Sequence, residues 1–215
     1  MATVTRRSAL HHRLVAAGAR MHAVRGWEQA ESFDRDAEAR DLRAGVVLAD
    51  LSAQHLLLAQ AHDLSAWLPA VPEIGRVALV ANSGSPVRCC RLTAETALFL
   101  SALPVELPRA PAHCGHLTDF TSGRTIMAVA GPRSVDLLRA VTQVDLRDRM
   151  MPDRHCVQSS VARAPATLVR YDRGGVPSYE ILVPREVGEF VWETLLDAGA
   201  PIGVRLAGAT TLGGD

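Results

Sequence analysis

Apolar and polar positions in the second half of the chain alternate as short strands and amphipathic helices require. The run Arg124–Ala130 is mostly apolar, which is typical of a buried strand. Further along, Val187, Val191 and Leu195 recur at a helical spacing. The whole pattern predicts the order β-α-β-β-α-β, which suits a ferredoxin-like sheet with both helices on one face. The predicted elements are a strand at 124–130, a helix at 134–141, strands at 166–171 and 179–183, a helix from Pro184 to Gly199 and a strand at 202–206.

Two helices are predicted in the first half from the residues that begin and end them. Ser8 is a suitable N-cap for a first helix, and Gly18 follows as its stop. An acidic helix is predicted over residues 34–44, and Gly45 closes it.

A hairpin and a linker complete the predicted organisation. Residues 75–80 and 87–92 flank a turn rich in Gly, Ser and Pro, which predicts two paired strands. The stretch 104–113 contains three prolines and is interpreted as a linker. The chain then divides into a shortened N-terminal subdomain, 1–104, and a second subdomain, 105–215.

Composition and charge narrow the function classes. Apolar residues make up 48% of the chain and charged residues 21%, as in a soluble globular protein. The 23 basic residues balance the 23 acidic ones, so no basic field is predicted for nucleic acid or a membrane surface. Lysine is absent, which excludes Schiff-base chemistry by this chain. No membrane-spanning run or hydrophobic signal core is found, and we predict a cytoplasmic protein.

Cysteine and histidine are the candidate metal ligands, but their spacing disfavours a metal site. The four cysteines form no C-x-x-C pair, and adjacent Cys89 and Cys90 should point to opposite faces of a strand. His113, Cys114 and His116 make one short-spaced group, whereas structural zinc sites usually combine two. We predict reduced thiols and no bound metal.

Other motifs are weak. Ser85 lies outside a G-x-S-x-G pattern, so it does not indicate a hydrolase nucleophile. Gly131–Pro132 and Gly174–Gly175 are not in the context of a phosphate-binding loop and are interpreted as plain turns. Asp172 and Arg173 are predicted to form a solvated hairpin turn.

Glu180 is a carboxylate inside a predicted strand. It lies within the run Ser-Tyr-Glu-Ile-Leu-Val-Pro, where Ile181 and Val183 belong to the opposite face. A carboxylate on the face away from the core either meets solvent or lines a cleft. The strand pattern alone leaves both interpretations open.

Three groups of segments, in this order along the chain, carry a family resemblance. The first comprises 18–21, 24–28 and 38–52, with the run ARDLRAGVVLADLS. The second is Leu-Thr-Asp at 117–119 with MAVAGPRS at 127–134, and the third is YEILVP at 179–184 with VWETLLDAG at 191–199. Together they resemble the glycine-cleavage T-protein (aminomethyltransferase) family. The second half, roughly 115–212, is also similar to the gamma subunit of heterotetrameric sarcosine oxidase, a relative in the same superfamily.

The resemblance implies an α+β, aminomethyltransferase-like folate-binding fold with two intertwined subdomains around a cleft. It implies tetrahydrofolate as cofactor and Glu180 as the carboxylate that binds the pterin ring. A carboxylate suits this role because its two oxygens accept parallel N–H bonds from the pterin edge. The resemblance also places Met21, Asp50, Leu51, Tyr171 and Tyr179 in segments that line the family's cleft. The alternative interpretation is that these side chains pack in the core.

The chain departs from the family at places that matter for the reaction. The family's catalytic aspartate should lie near 82–92, but no acidic residue occurs between Glu73 and Glu95. An arginine-bearing C-terminal element is replaced by Ala-Gly-Ala-Thr-Thr-Leu at 207–212, and the C-terminal cap domain is expected to be absent. The catalytic residues are therefore unknown, and the substitute proton-handling candidates are Cys89, Cys90, His113 and His116.

These observations predict a tetrahydrofolate-binding protein of one-carbon transfer, with a reaction other than glycine cleavage. One alternative is a non-catalytic small subunit that docks to a flavin-dependent amine oxidase, as the sarcosine oxidase gamma chain does. Another is a biosynthetic enzyme with a non-folate ligand. The expected partners are accordingly a reduced folate or other small molecule, or flavoprotein oxidase subunits, and neither nucleic acid nor a membrane.

Overall fold

A computed structural model describes residues 5–68, 70–80, 86–109 and 115–213. His113, Cys114 and Ser85 lie outside these residues. The helices of the described chain are α1 (His11–Ala16), α2 (Arg35–Ala44), α3 (Leu64–Trp67), α4 (Ser134–Arg139) and α5 (Gly188–Gly199), with 3-10 helices at Arg185–Val187, Ala200–Ile202 and Ala209–Leu212.

The predicted helices form close to their expected bounds. The acidic helix is confirmed as α2, with Asp34 as its N-cap and the Asp34 carboxylate accepting from the Ala37 amide at 3.2 Å. The first helix begins later than expected, because Ser8 accepts from the Leu10 amide one turn before α1. Pro184 precedes a 3-10 turn that leads into α5.

Strands of the described residues form three sheets. The strands are β1 (Arg6–Arg7), β2 (Arg20–Val24), β3 (Trp27–Ser32), β4 (Val47–Asp50), β5 (His55–Ala61), β6 (Val77–Val80), β7 (Val87–Arg91), β8 (Thr96–Ser101), β9 (Gly115–Asp119), β10 (Arg124–Ala130), β11 (His155–Val161), β12 (Ala164–Arg170), β13 (Ser178–Pro184) and β14 (Arg205–Leu206). The small sheet has the order β1-β3-β2, the central sheet β11-β12-β13-β10-β4-β14, and the third, five-stranded sheet β6-β7-β8-β5-β9.

The central sheet departs from a ferredoxin-like order at two places. A ferredoxin-like sheet would put β14 beside β10, but β4 from the first half lies between them. Val47, Leu48 and Ala49 are fully buried, and the backbone groups of this strand find their hydrogen-bond partners in β10 and β14 on its two sides. Strand β11, which the sequence pattern did not predict, forms the opposite edge, where polar side chains remain exposed.

Strand pairing crosses the predicted boundary between the subdomains. Strand β4 joins both β10 and β14, and β9 joins β5. The predicted hairpin is present as antiparallel β6 and β7. The division at residue 104 stays a prediction, while the sheets themselves are built from both halves.

The central sheet is buried on both faces, which explains the continuous apolar run of β10. Met127 and Val129 pack with the helices α4 and α5, whereas Ile126, Ala128 and Ala130 pack toward the five-stranded sheet. This alternation follows from the two-residue period of a strand. A third cluster covers the outer face of the five-stranded sheet around Trp67 and Phe99 of the first half.

No helix of the described residues is long and apolar enough to cross a membrane. The same part of the chain contains no group of three or more His, Cys, Asp or Glu side chains placed to hold a metal ion.

Candidate functional site

A cavity of about 310 Å³ opens where three parts of the fold meet. One wall is the hairpin β2–β3, which contributes His22 and Gln29. The ends of β7 and β8 contribute Arg88 and Ser101, and the C-terminal 3-10 helix contributes Thr210. A cavity of this size is within the range of small-molecule sites.

Two arginines at this cavity share one buried glutamate. The Arg88 Nη1 atom lies 2.8 Å from Glu180 Oε1, and Arg173 Nη2 donates to the same oxygen at 2.7 Å. Glu180 is 1% exposed and Arg88 3%. Burial raises the pKa of Glu180, but the two guanidinium groups outweigh it and hold the pKa below its ordinary value. We call Arg88, Arg173 and Glu180 the Arg–Glu cluster.

Neighbouring side chains fix the position of Arg88. Its Nη2 atom donates to Gln54 Oε1 at 2.9 Å, and its guanidinium lies over the Tyr171 ring, 5.2 Å from the centroid. Strand β7 carries Arg88 inward because Arg88 shares its face of the strand with Cys90, which packs between the two large sheets, while Val87 and Cys89 occupy the opposite face. These contacts hold the guanidinium of Arg88 in place.

The C-terminal segment 208–213 forms the wall beside Arg173. Arg173 Nη1 donates to the carbonyls of Leu212 and Gly213 at 3.3 and 3.1 Å. Thr210 donates its hydroxyl to the Glu31 carbonyl at 2.6 Å. A Cβ atom on Gly208 would stand 1.8 Å from that same carbonyl oxygen, so only glycine fits there.

Buried Glu38 of α2 anchors this wall. One carboxylate oxygen accepts from the backbone amides of Phe33 and Asp34, and the other from the Gly208 amide and the Thr211 hydroxyl. Burial raises the pKa of Glu38, but these hydrogen bonds to the anion outweigh it and lower the pKa overall.

The structure brings three of the predicted cofactor-binding residues to the cavity region. Leu51 lines the cavity, and Tyr171 stands behind Arg88. Glu180 lies beneath the two arginines and is not itself a lining residue. Its Oε2 atom has no hydrogen-bond partner among the described residues.

The other three lie elsewhere. Tyr179 is fully buried in the helix-side core, with Arg170 5.5 Å from its ring centroid. Met21 packs against the same core. Asp50 is 4% exposed, and its carboxylate accepts from the amide and hydroxyl of Ser52 at 2.9 and 2.5 Å. Burial raises the pKa of Asp50.

The substitute catalytic candidates are not brought to the cavity in the described part of the chain. Cys89 is fully buried, and burial raises its pKa to about 12. Cys90 is also buried, and its contact with Cys156 and its burial raise its pKa. His116 is exposed on β9, while His113 lies outside the described residues. The three described cysteines are free thiols.

The sequence pattern did not identify three residues of this site, Arg88, Arg173 and Gln54. The prediction that Asp172 and Arg173 are solvated is wrong, because their side chains are only 18% and 10% exposed. The feature of the sequence that could have indicated the site is Arg88, a charged residue inside a predicted hairpin strand. Such a residue indicates either an exposed strand face or a buried partner charge.

Fold and cavity together define a mixed α/β protein with a cavity over a buried Arg–Glu cluster. The model of the GCVT N-terminal domain family matches residues 98–213, more than half of the chain. The chain therefore belongs to this family, and the resemblance seen in the sequence is confirmed.

Sequence relatives are aminomethyltransferases. That of Saccharopolyspora erythraea is 32% identical over 90 residues, which is 42% of this chain and 24% of the relative. That of Rippkaea orientalis is 32% identical over 81 residues, 38% of this chain and 21% of the relative. The matched region thus spans about a quarter of these longer proteins.

Solved structures share the fold over nearly the whole chain. Aminomethyltransferase T of the glycine cleavage system from Bartonella henselae has a TM-score of 0.74 at 17% identity, covering 96% of this chain and 60% of that one. A chain of heterotetrameric sarcosine oxidase from Corynebacterium sp. U-96, solved in complex with pyrrole 2-carboxylate, has a TM-score of 0.63 at 19% identity. That alignment covers 92% of this chain and 96% of the other.

Proposed function

We propose that this chain binds a reduced folate in the cavity beside the Arg–Glu cluster and takes part in a one-carbon transfer other than glycine cleavage. The observation that carries the proposal is the position of the cavity in a member of this family. It lies directly against Arg88 and Arg173, the ion-pair partners of the glutamate to which the resemblance assigns folate binding.

The lining suits a ligand that combines an apolar ring system with polar ends. Val24, Leu51 and Ala102 offer apolar wall, while Arg88 and Gln29 offer hydrogen-bond donors. A bound tetrahydrofolate would supply N5 and N10, the nitrogens that carry one-carbon units. The chain's part is to bind the ligand and exclude water around it, so that proximity of the reactants lowers the barrier.

The cavity lining differs from what the family resemblance leads us to expect, and this difference supports a reaction other than glycine cleavage. The stretch in which the family's catalytic aspartate is expected contains no acidic residue and contributes Arg88 to the cavity. A guanidinium cannot take the place of a carboxylate that steers attack on a cationic aminomethyl group, because it repels that charge.

Calorimetric titration with tetrahydrofolate and 5-formyltetrahydrofolate tests the proposal. We expect micromolar binding by the wild-type chain and loss of binding in Ala102→Phe, which fills the cavity. The matched control is Ala94→Phe, which places the same ring on an exposed turn and should bind as the wild type does. Circular dichroism checks that both variants fold. Absence of heat from the folded wild-type chain at millimolar ligand would contradict folate binding.

A second candidate function is that of a small subunit of a flavin-dependent amine oxidase. The observation that favours it is the extent of the match to the sarcosine oxidase chain, 92% of this chain and 96% of that one. The match to aminomethyltransferase T leaves two fifths of that chain uncovered, since it extends over only 60%. In this role the chain would stabilise a flavoprotein partner.

A further inference from the structure

A groove of about 450 Å³ lies on the helix side of the central sheet. It is bounded by the end of α4, the turn between β11 and β12 and the outer face of α5. None of its described lining residues also lines the cavity beside the Arg–Glu cluster. The groove has the size of a small-molecule site, and the proposed function does not use it.

Two arginine side chains give the groove a positive charge. Arg139, in the last turn of α4, and Arg163, in the β11–β12 turn, are both exposed and both line the groove. Neither guanidinium has a hydrogen bond or an ion pair within the described part of the chain. An anionic group is therefore attracted to the groove, and the guanidinium N–H donors are available to it.

The acidic residues of the two helices do not neutralise this charge. Asp136 of α4 pairs with the arginine three residues before it. Glu189 and Glu193 of α5 both pair with Arg13 of α1. Asp197 of α5 lies outside the lining, and no carboxylate is found among the described lining residues.

The β11–β12 turn holds Arg163 in a strained but fixed backbone. Val161 pairs with Ala164, so the connection is a two-residue hairpin turn, and Ala162 and Arg163 have φ angles of +50° and +65°. Asparagine and glycine are the usual residues at these left-handed positions. The buried Ala162 donates its amide to the Val141 carbonyl at 2.8 Å, which fixes the turn against the end of α4. Strained backbone of this kind is concentrated at functional sites, and here it places Arg163 at the groove.

The groove also presents an aromatic ring to solvent. Phe190 of α5 lines it and is 55% exposed, although burial of a phenyl ring is favourable. Gln143 and Ser160 line the same groove and offer an amide and a hydroxyl for hydrogen bonds. A ligand that fits this lining combines an anionic group with a flat ring.

We infer that the groove binds a ligand that joins a phosphate to a planar ring, the chemistry of a nucleotide, with the phosphate against Arg139 and Arg163 and the ring on Phe190. Guanidinium groups match a phosphate in charge and geometry. Stacking of a base on an aromatic side chain adds to the ionic contact. The inference goes beyond the proposed function and does not depend on it, because the two sites share no described lining residue.

Calorimetric titration of the full chain with the parts of a nucleotide tests this inference. The probes are adenosine monophosphate (AMP), ribose 5-phosphate, which lacks the ring, and adenosine, which lacks the phosphate. We expect AMP to bind about 10-fold more tightly than ribose 5-phosphate, because stacking adds to the ionic contact. Adenosine should give no saturable binding, and both phosphates should bind more weakly as salt rises.

Two variants separate the charge from the ring. Arg163→Gln removes a guanidinium and should weaken the binding of both phosphates by about 10-fold. Phe190→Ala should weaken AMP by about 10-fold and leave ribose 5-phosphate unchanged. The matched controls are Arg43→Gln, at an exposed position of α2, and Ile74→Ala, at an exposed turn, and both should bind as the wild type does. Circular dichroism checks that all four variants fold.

A third variant separates the groove from the cavity. Ala102→Phe, which fills the cavity, should bind AMP as the wild type does. Loss of AMP binding in Ala102→Phe but not in Phe190→Ala would put the ligand in the cavity and overturn the inference. The folate titration keeps its own outcome in either case, so failure of one proposal does not imply failure of the other.

Three further outcomes would also overturn the inference. The first is the absence of saturable AMP binding by the folded wild-type chain at millimolar concentration. The second is an equal effect of Arg163→Gln and Arg43→Gln on AMP, or equal affinities of the wild type for AMP and ribose 5-phosphate. The third is binding of a hexaglutamate peptide by a chain that does not bind AMP, which would make the groove a site for an acidic protein segment.

Discussion

Glu180 keeps a negative charge where almost no water reaches it. Removing an ion from water is costly, and the cost is met here by two guanidinium groups at 2.8 and 2.7 Å. Gln54 and Tyr171 then hold Arg88, and backbone carbonyls of the C-terminal segment hold Arg173. The positions of Arg88 and Arg173 at the cavity therefore depend on the negative charge of Glu180.

Replacing Glu180 by glutamine should destabilise the folded chain. The change leaves two buried guanidinium groups without their shared anion, and the free energy of unfolding should fall by about 3–5 kcal/mol. Urea denaturation of Glu180→Gln measures this. Glu186→Gln, at an exposed position, is the control and should change the free energy of unfolding by less than about 0.5 kcal/mol. Equal stabilities of the two variants would show that the cluster contributes nothing to folding.

At the scale of elements, the cavity depends on how the C-terminal 3-10 helix is attached. Its contacts include those of Glu38 with the Gly208 amide and the Thr211 hydroxyl, of Thr210 with the Glu31 carbonyl, and of Arg173 with the Leu212 carbonyl. A helix of one turn has little stability of its own, so these tertiary contacts keep it in place. The anchor lies in α2, far away in the sequence.

Protonation of the Glu38 carboxylate in acid should lower the free energy of unfolding. Because the folded-state pKa of Glu38 lies below the ordinary value of 4.5, its carboxylate stabilises the fold above that pH. This contribution, about 2 kcal/mol for a buried charged acceptor, is lost as the pH falls through the lower folded-state pKa. Urea denaturation between pH 7 and pH 3 should therefore show a steeper loss for the wild-type chain than for Glu38→Gln.

Asp36→Asn serves as the control for this pH dependence. Asp36 is exposed on the same helix and makes no side-chain contact comparable to those of Glu38 among the described residues. The variant should follow the wild-type profile. Parallel profiles for the wild-type chain and Glu38→Gln would refute the anchoring role.

At the scale of the whole molecule, exchange of strands between the two halves joins them into one structure. Strand β4 completes the central sheet, and β9 extends the five-stranded sheet. The core shared by the two sheets includes Leu56 and Leu100 of the first half and Ile126 and Leu182 of the second. Each half therefore needs the other to bury its apolar face.

The small-subunit candidate predicts a stable complex with a flavoprotein. An affinity-tagged full chain, expressed in its source cells, should then co-elute at constant stoichiometry with a partner that shows the visible absorbance of oxidised flavin. Size-exclusion chromatography with light scattering gives the mass of the complex. A chain that elutes alone, as monomer or homo-oligomer, would contradict this candidate and leave the cavity as the centre of function.

Patterns with a strong local cause were predictable from the sequence. The acidic helix α2 has its N-cap and its terminal glycine in the sequence, β10 is a long apolar run, and β13 contains the apolar run Ile181–Val183. Strands such as β9 and β11 were missed because edge strands are short of apolar residues and form by pairing with a neighbour. The family resemblance was also carried by these local segments, and the family comparison confirms it.

The site depended on long-range contacts. The sequence singled out Glu180 in a strand, but whether that carboxylate meets solvent, a ligand or another charge depends on residues 92 and 7 positions away, Arg88 and Arg173. Local pattern determines which side chains share the face of an element, since that follows from backbone period alone. Which charged side chains form ion pairs is determined only by the packing of the sheets and of the C-terminal segment. A buried charge without a partner is energetically costly, so the charges that this packing buries must be paired.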